Sequence, residues 1–149
     1  MKIEYQTELQ NWLKNTRNSI PITEIESDEI NNNVNYPKAY KEFLFLTGVD
    51  FRAMGFSHGM HWLNKNKVNE YCKRKIQEEN INITRPFWVF AFENECMFFF
   101  YLDDGDDPLV HICEIDYYDE EPERALRKAH PSFSSFIETR IFYYEEYKR

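Results

Sequence analysis

The sequence has 149 residues, of which 42% are hydrophobic and 17% aromatic, and its formal net charge is -8. A chain of this length usually forms one domain with a hydrophobic core, and so many aromatic rings exclude a disordered chain because they need burial. We expect a single domain over residues 1–149. No apolar run approaches the length that a bilayer requires, and the first twelve residues are too polar for a secretory signal. We therefore expect a cytoplasmic protein without membrane contact.

The negative charge is concentrated in one third of the chain. Residues 93–123 contain twelve Asp or Glu and no Lys or Arg, whereas the rest of the chain holds 14 acids and 18 bases. A surface of this kind repels phosphate and attracts basic proteins. We expect a basic protein as partner and no direct contact with nucleic acid.

The first part of the chain predicts helices separated by polar connections. A short helical stripe around Leu9 and Trp12 predicts the first helix. Residues 15–35 are rich in Asn, Ser, Thr and acids, and they predict a connection with a short extended piece around Ile20 and Ile22.

The segment YPKAYKEFLFLTG, residues 36–48, has the clearest helical pattern of the chain. Pro37 suits a first helical residue, and Gly48 suits a C-terminal cap. Residues 49–63 predict a loop or extended piece, and the helical spacing from Val68 to Ile76 predicts another helix.

Three apolar runs then predict strands. PFWVFAF, ECMFFFYLDD and PLVHICEID are separated by the turn segments ENEC and DDGDDP, which indicates an antiparallel meander. Because these runs are continuously apolar, we expect helices on one face of the sheet and large side chains on the other. SFSSFIETRIFYY predicts a last helix with Ser132 at its N-cap. The order predicts an α+β fold, in which N-terminal helices and a C-terminal helix flank an antiparallel sheet.

Three of these segments carry a resemblance to a known family. YPKAYKEFLFLTG, FWVFAFENECMFFFYLD and SFSSFIETRIF are similar to the proline-started helix, the central hairpin and the closing helix of the SUKH superfamily, and they occur in the family's order. The chain departs from the family where Val49 and Asp50 follow Gly48 in place of a Gly-Gly pair. The family includes bacterial immunity proteins and fungal cell-wall assembly regulators.

The resemblance implies a non-catalytic domain that binds another protein, such as a nuclease toxin. An acidic surface can cover the basic cleft of a nuclease by mimicking the charge of its substrate. We therefore predict an immunity protein without cofactor, and we keep a regulatory interaction scaffold as the alternative. The candidate partner-binding residues are those of the acidic third that lie at or near turns: Asp103, Asp104, Asp106, Asp107, Asp116, Tyr117, Tyr118, Asp119, Glu120 and Glu121. An ordinary solvated surface remains the other interpretation of these acids.

Other chemistry has weaker support in the sequence. DDGDD lacks the ligand spacing of an EF-hand, so a calcium loop is not favoured. His58 and His61 form H-x-x-H without a third ligand close by, which would leave a metal-dependent hydrolase incomplete. Three cysteines, Cys72, Cys96 and Cys113, show neither a disulfide spacing nor a glycine-rich nucleophile turn. We expect free thiols in the core and no enzyme.

Overall fold

A computed structural model describes residues 1–51, 53 and 62–147. Within this part of the chain a four-stranded antiparallel sheet is flanked by helices, so the predicted α+β fold is confirmed. The elements in chain order are α1 (Thr7–Trp12), α2 (Ile22–Asn31), α3 (Lys38–Thr47), α4 (Lys65–Glu78), β1 (Phe87–Glu93), β2 (Cys96–Tyr101), β3 (Val110–Glu114), a 3-10 helix (Ile115–Tyr117), α5 (Pro122–Ala125), β4 (Leu126–His130) and α6 (Phe133–Tyr147).

The sheet is the expected meander with one strand added. Its order is β1-β2-β3-β4, and every neighbouring pair is antiparallel. The fourth strand was not expected because its sequence, LRKAH, is basic and has little β-propensity. It forms because it can pair with β3 at the sheet edge, where charged side chains remain in water.

Helix α2 corrects the expectation of a connection over residues 15–35. Its polar sequence hides the helical pattern, since Ile25 is its one buried residue. The helix is held instead by polar contacts to its neighbours. Asp28 accepts hydrogen bonds from the Tyr36 hydroxyl at 2.7 Å and from the Lys65 ammonium at 2.8 Å. The helix therefore forms through tertiary contacts that a local pattern does not reveal.

The termini of α3 agree with the sequence to within one residue. Pro37 takes the N-cap, one residue before the position expected, and Gly48 takes the C-cap. Gly48 has a right-handed backbone, with φ of -61°. Space explains the glycine, because an added Cβ would lie 2.8 Å from the backbone of Leu44 and 3.0 Å from the side chain of Ile20.

The core lies on both faces of the sheet, which corrects the expectation of helices on one face only. One face packs against α1, α3 and α6, and α4 packs against the other. Alternate residues of a strand point to opposite faces, so the continuously apolar strands β1 and β2 need cover on both. The larger cluster includes Tyr40, Phe43, Trp88, Phe90, Phe100, Phe133 and Phe136, and the smaller includes Cys72, Ile76, Phe87, Val89, Met97, Phe99 and Cys113.

Two buried polar side chains hold the elements together. The amide of Asn69, on α4, donates to the carbonyl of Val89 at 2.9 Å and accepts from its N–H at 2.8 Å. It thus satisfies backbone groups on β1, an edge strand of the sheet. Glu42, on α3, is fully buried, and its Oε1 accepts the backbone N–H groups of Glu4, Tyr5 and Gln6 at 2.9–3.0 Å. This carboxylate fixes the segment that leads into α1.

Helix α6 begins at the expected N-cap, and its burial decreases from its first half to its second half. Ser132 caps it, since its Oγ accepts the N–H of Ser135 at 3.1 Å. Phe133, Phe136 and Ile137 in its first half are buried in the core. Residues 142–147 are all exposed. No helix within the described residues has the length and apolar character needed to cross a membrane.

Candidate protein-binding surface

The twelve acids of residues 93–123 lie at two opposite ends of the sheet. The β2–β3 loop holds four of the twelve acids and lies at the end where β3 begins. The other eight acids lie at the opposite end, in the last residue of β1, the β1–β2 turn, the last residue of β3 and the β3–β4 connection. The five residues of β3 separate the two ends by about 14 Å, at the rise of an antiparallel strand. The candidate residues therefore do not form one continuous patch.

The acids of the β2–β3 loop are engaged within the protein. Asp103 forms an ion pair with Arg85, whose Nη2 lies 2.6 Å from Oδ1, and this guanidinium lowers the pKa of Asp103. Asp104 accepts the N–H of Leu109 at 3.0 Å. The Tyr5 hydroxyl lies 3.5 Å from Asp106. These contacts close the loop and tie it to the N-terminal segment.

Asp107 is engaged by the first turn of α6. Its two oxygens accept the N–H and the hydroxyl of Ser134 at the start of α6. A carboxylate in this position caps the helix and interacts favourably with its dipole. These contacts indicate that the β2–β3 loop is a structural turn. They favour a structural role over partner binding for Asp103, Asp104, Asp106 and Asp107.

The opposite end, which we call the acidic end, combines acids that have partners with acids that have none among the described residues. It consists of Glu93, Glu95, Glu114, Asp116, Asp119, Glu120, Glu121 and Glu123. The N–H of Ile115 donates to the Glu95 carbonyl at 2.9 Å, so the β1–β2 turn and the β3–β4 connection lie side by side. Glu114 pairs with Arg127 at 2.9 Å, and Glu121 lies 3.6 Å from Arg124.

Four exposed acids of the acidic end form no ion pair with any described residue: Asp116, Asp119, Glu120 and Glu123. Asp103 in the β2–β3 loop has an ion pair and the other three loop acids accept hydrogen bonds, whereas the side chains of these four acids have neither kind of contact with a described residue.

The two candidate tyrosines have different surroundings. Tyr117 is 58% exposed and stands beside the free acids of the acidic end. Tyr118 is half-buried against the smaller core cluster, and its hydroxyl accepts the backbone N–H of Asn82 at 3.0 Å. The Tyr117 ring is therefore available to a partner, whereas the Tyr118 side chain holds the β3–β4 connection against the smaller core cluster.

The cysteines lie in apolar surroundings. Cys72 and Cys113 are buried and Cys96 is half-buried, and all three are free thiols. Burial raises the pKa of Cys72 and Cys113 to about 12 and that of Cys96 to about 11. A nucleophilic cysteine requires the opposite shift, because the thiolate is the reactive form.

The structure describes two of the four histidines, His111 and His130. His58 and His61 lie outside the described residues. The His111 ring stacks on Phe99 with centroids 5.3 Å apart, and the His130 ring meets Phe136 edge-on at 5.1 Å. Burial lowers the pKa of both, so the neutral form is favoured. In the part of the chain that the structure describes, no three His, Cys, Asp or Glu side chains converge as a metal site would require.

One exposed surface was not among the sequence candidates. Phe142, Tyr143 and Tyr147 project from the second half of α6, and we call them the α6 aromatic face. The sequence does contain a signal, because the run FYYEEY places aromatic residues outside the single apolar stripe that packs α6 on the core.

Comparison of the sequence with protein-family models and with curated proteins found no match.

Proposed function

We propose that this chain is a non-catalytic protein-binding module, and specifically an immunity protein that neutralises a basic toxin domain. The observation that carries the proposal is the acidic end of the sheet, where four exposed acids without ion pairs among the described residues lie in the same β3–β4 connection as exposed Tyr117. The more specific part of the proposal, an immunity protein, rests on the resemblance of three segments to the SUKH superfamily.

The acidic end has the composition of an interface that selects a basic partner. Its negative potential accelerates the encounter with a positively charged surface and repels acidic proteins. Tyr117 supplies an amphipathic ring, a residue type enriched at interface hot spots. The connection is also held in place, since Tyr118 and the backbone of Ile115 anchor it to neighbouring segments. A preformed surface binds with a smaller entropic cost.

The surroundings of the thiols agree with a binding role. The raised pKa values of Cys72, Cys96 and Cys113 oppose nucleophilic catalysis, and the aromatic contacts of His111 and His130 account for both rings as packing groups.

The direct test is calorimetric titration of the purified protein against the toxin-like domain encoded beside its gene. We expect the titration to show one-to-one binding. We also expect the association rate, measured by stopped-flow mixing, to fall as salt increases. Replacing Asp119→Lys and Glu120→Lys together should reduce the association rate at low salt by about tenfold or more.

The matched control is Glu24→Lys with Glu26→Lys, which makes the same charge change at exposed positions of α2. It should leave the association rate within about twofold of the wild type if the location of the charge matters. Equal loss in both variants would show a general charge effect and would contradict a site at the acidic end. Absence of binding to a folded, active neighbour would reject the immunity function, and weak binding of several unrelated proteins would favour the scaffold.

A further inference from the structure

A cavity of about 450 Å³ opens beside the first residues of β1. Its walls come from the segment that follows α2, the second half of α4 and residues 83–88. The described residues that line it include two bases, Lys73 and Arg85, and no acid. The volume lies within the range of roughly 300–1,000 Å³ that small-ligand sites occupy.

The apolar part of the lining is held by the core. Ile76, Ile83 and Trp88 are buried, and Val34 and Leu102 are half-buried. These side chains belong to both core clusters, so residues that are distant in the sequence are packed together here. An apolar group that enters the cavity therefore meets a preformed surface, which lowers the entropic cost of binding.

The edge strand β1 presents a backbone donor and acceptor to this cavity. The N–H of Leu102 donates to the Pro86 carbonyl at 2.9 Å, which sets the alternation of hydrogen bonds between β1 and β2. By that alternation Trp88 pairs with Phe100, whereas the N–H and C=O of Phe87 point away from β2. Phe87 lines the cavity, and neither group has a hydrogen-bond partner among the described residues. One position of the strand edge is therefore open to a ligand.

Asn69 shows how such an edge position is satisfied. Two residues beyond Phe87, the N–H of Val89 donates to Asn69 Oδ1 at 2.8 Å, and Asn69 Nδ2 donates to the Val89 carbonyl at 2.9 Å. A single carboxamide thus serves both backbone groups of one residue. The last residue of a peptide offers the same pair, because its carboxylate accepts hydrogen bonds and its amide N–H donates one.

The charges of the lining favour a carboxylate. Arg85 is compensated, since it pairs with Asp103 and lies 4.0 Å from the centre of the Tyr101 ring. Lys73 is exposed and forms no ion pair with any described residue. Helix α4, which carries Lys73, contains five bases and two acids. The free ammonium therefore stands in a positive surrounding and selects an anionic group over a neutral one.

We propose that this cavity binds the C-terminal residue of a peptide whose last side chain is apolar. The carboxylate of that residue accepts the N–H of Phe87 and pairs with Lys73, and its amide N–H donates to the Phe87 carbonyl. Its side chain lies on the apolar part of the lining. The site uses neither the acidic end nor a toxin as partner, so it stands independently of the function proposed above.

The test uses a dipeptide with this chemistry. N-acetyl-Leu-Leu with a free carboxylate is titrated into the isotope-labelled protein, and amide shifts are followed by NMR. We expect saturable shifts at Phe87 and at the neighbouring cavity residues, with a dissociation constant below about 1 mM.

Three control peptides each remove one feature of the ligand. The C-terminal amide of the dipeptide lacks the charge, the form with an N-methylated last residue lacks the donor, and N-acetyl-Ser-Ser lacks the apolar side chains. Each should bind at least about fivefold more weakly than N-acetyl-Leu-Leu.

Two matched variants test the charge. Lys73→Gln should weaken the free acid about threefold and leave the affinity of the C-terminal amide unchanged. Lys67→Gln removes an exposed base of the same helix that lies outside the cavity lining, and it should bind both peptides as the wild type does. An unchanged urea midpoint verifies that each variant is folded.

The proposal is overturned if the free acid gives no saturable shift at Phe87 at millimolar concentration, or if any control peptide binds as tightly as the free acid. Equal effects of Lys73→Gln and Lys67→Gln would also overturn it, because the charge would then act without a location. A protein that binds the neighbouring toxin and does not bind the dipeptide would retain the function proposed above and lose this site, and the reverse result would do the opposite.

Discussion

Replacement of Glu42 by Ala should destabilise the protein strongly, although the glutamate lies in a helix that the sequence shows as amphipathic. One carboxylate oxygen of Glu42 accepts three successive backbone N–H groups, from Glu4, Tyr5 and Gln6. The side chain is fully buried, so its removal takes a charged acceptor away from donors that precede α1. The same change opens a small space between α1 and α3.

The expected magnitude follows from where the three donors lie. The N–H of Gln6 is buried and would lose its partner at a cost of about 1–3 kcal/mol. The N–H groups of Glu4 and Tyr5 are part-buried and can regain water, so each should cost about 0.5–1 kcal/mol. The free energy of unfolding should therefore fall by about 2–5 kcal/mol for Glu42→Ala, a large share of the roughly 5–15 kcal/mol of a typical domain. Glu42→Gln keeps one acceptor oxygen and should cost about half as much.

Urea unfolding followed by tryptophan fluorescence measures both values. Glu26→Ala, at an exposed position within α2, is the control and should change the free energy by no more than about 0.5 kcal/mol. Hydrogen exchange of the α1 amides should also accelerate in Glu42→Ala, because the segment before the helix is released. A loss below about 1 kcal/mol in Glu42→Ala, or equal losses in Glu42→Ala and Glu26→Ala, would refute the assignment of this carboxylate as a clamp.

Three further perturbations address the loop, the thiols and the histidine. Asp107→Ala should cost about 1 kcal/mol in urea unfolding because the N–H of Ser134 loses its acceptor while the Ser132 cap remains, and no loss would show that Asp107 does not stabilise α6. At pH 8, Ellman's reagent should react with Cys96 before the other thiols, since Cys96 is half-buried whereas Cys72 and Cys113 are buried; prompt reaction of all three would contradict their burial. Burial lowers the pKa of His111, so the native state binds fewer protons than the unfolded chain and stability should fall as pH drops below about 6.5. His111→Phe should flatten that dependence between pH 7 and 5, and an unchanged slope would show that His111 does not contribute to it.

The strongly periodic segments could be predicted from the sequence because burial of their apolar faces coincides with local propensity. Helix α3, strands β1 to β3 and the start of α6 all combine a continuous or periodic apolar pattern with clear boundary residues such as Pro37 and Ser132. The concentration of acids between residues 93 and 123 was equally visible. These features depend on near neighbours in the chain.

Elements that depend on distant partners could not be predicted in the same way. Helix α2 is polar and is stabilised by contacts of Asp28 with Tyr36 and Lys65, and β4 is basic and forms by pairing with β3. The burial of Glu42 likewise follows from the backbone of another segment reaching its carboxylate. Local patterns contain no information on these contacts.

The sequence by itself determined the α+β class, the principal apolar segments and the presence of an excess of acids. Only the tertiary structure decided which acids are free, because the direction of β3 places the β2–β3 loop at one end of the sheet and the β3–β4 connection at the other. Asp107 is thereby brought to the start of α6 as a cap, while Asp119 and Glu120 remain in water beside Tyr117. The physical reason is that charge is a property of each residue, whereas its neutralisation depends on which groups the fold brings within hydrogen-bond distance.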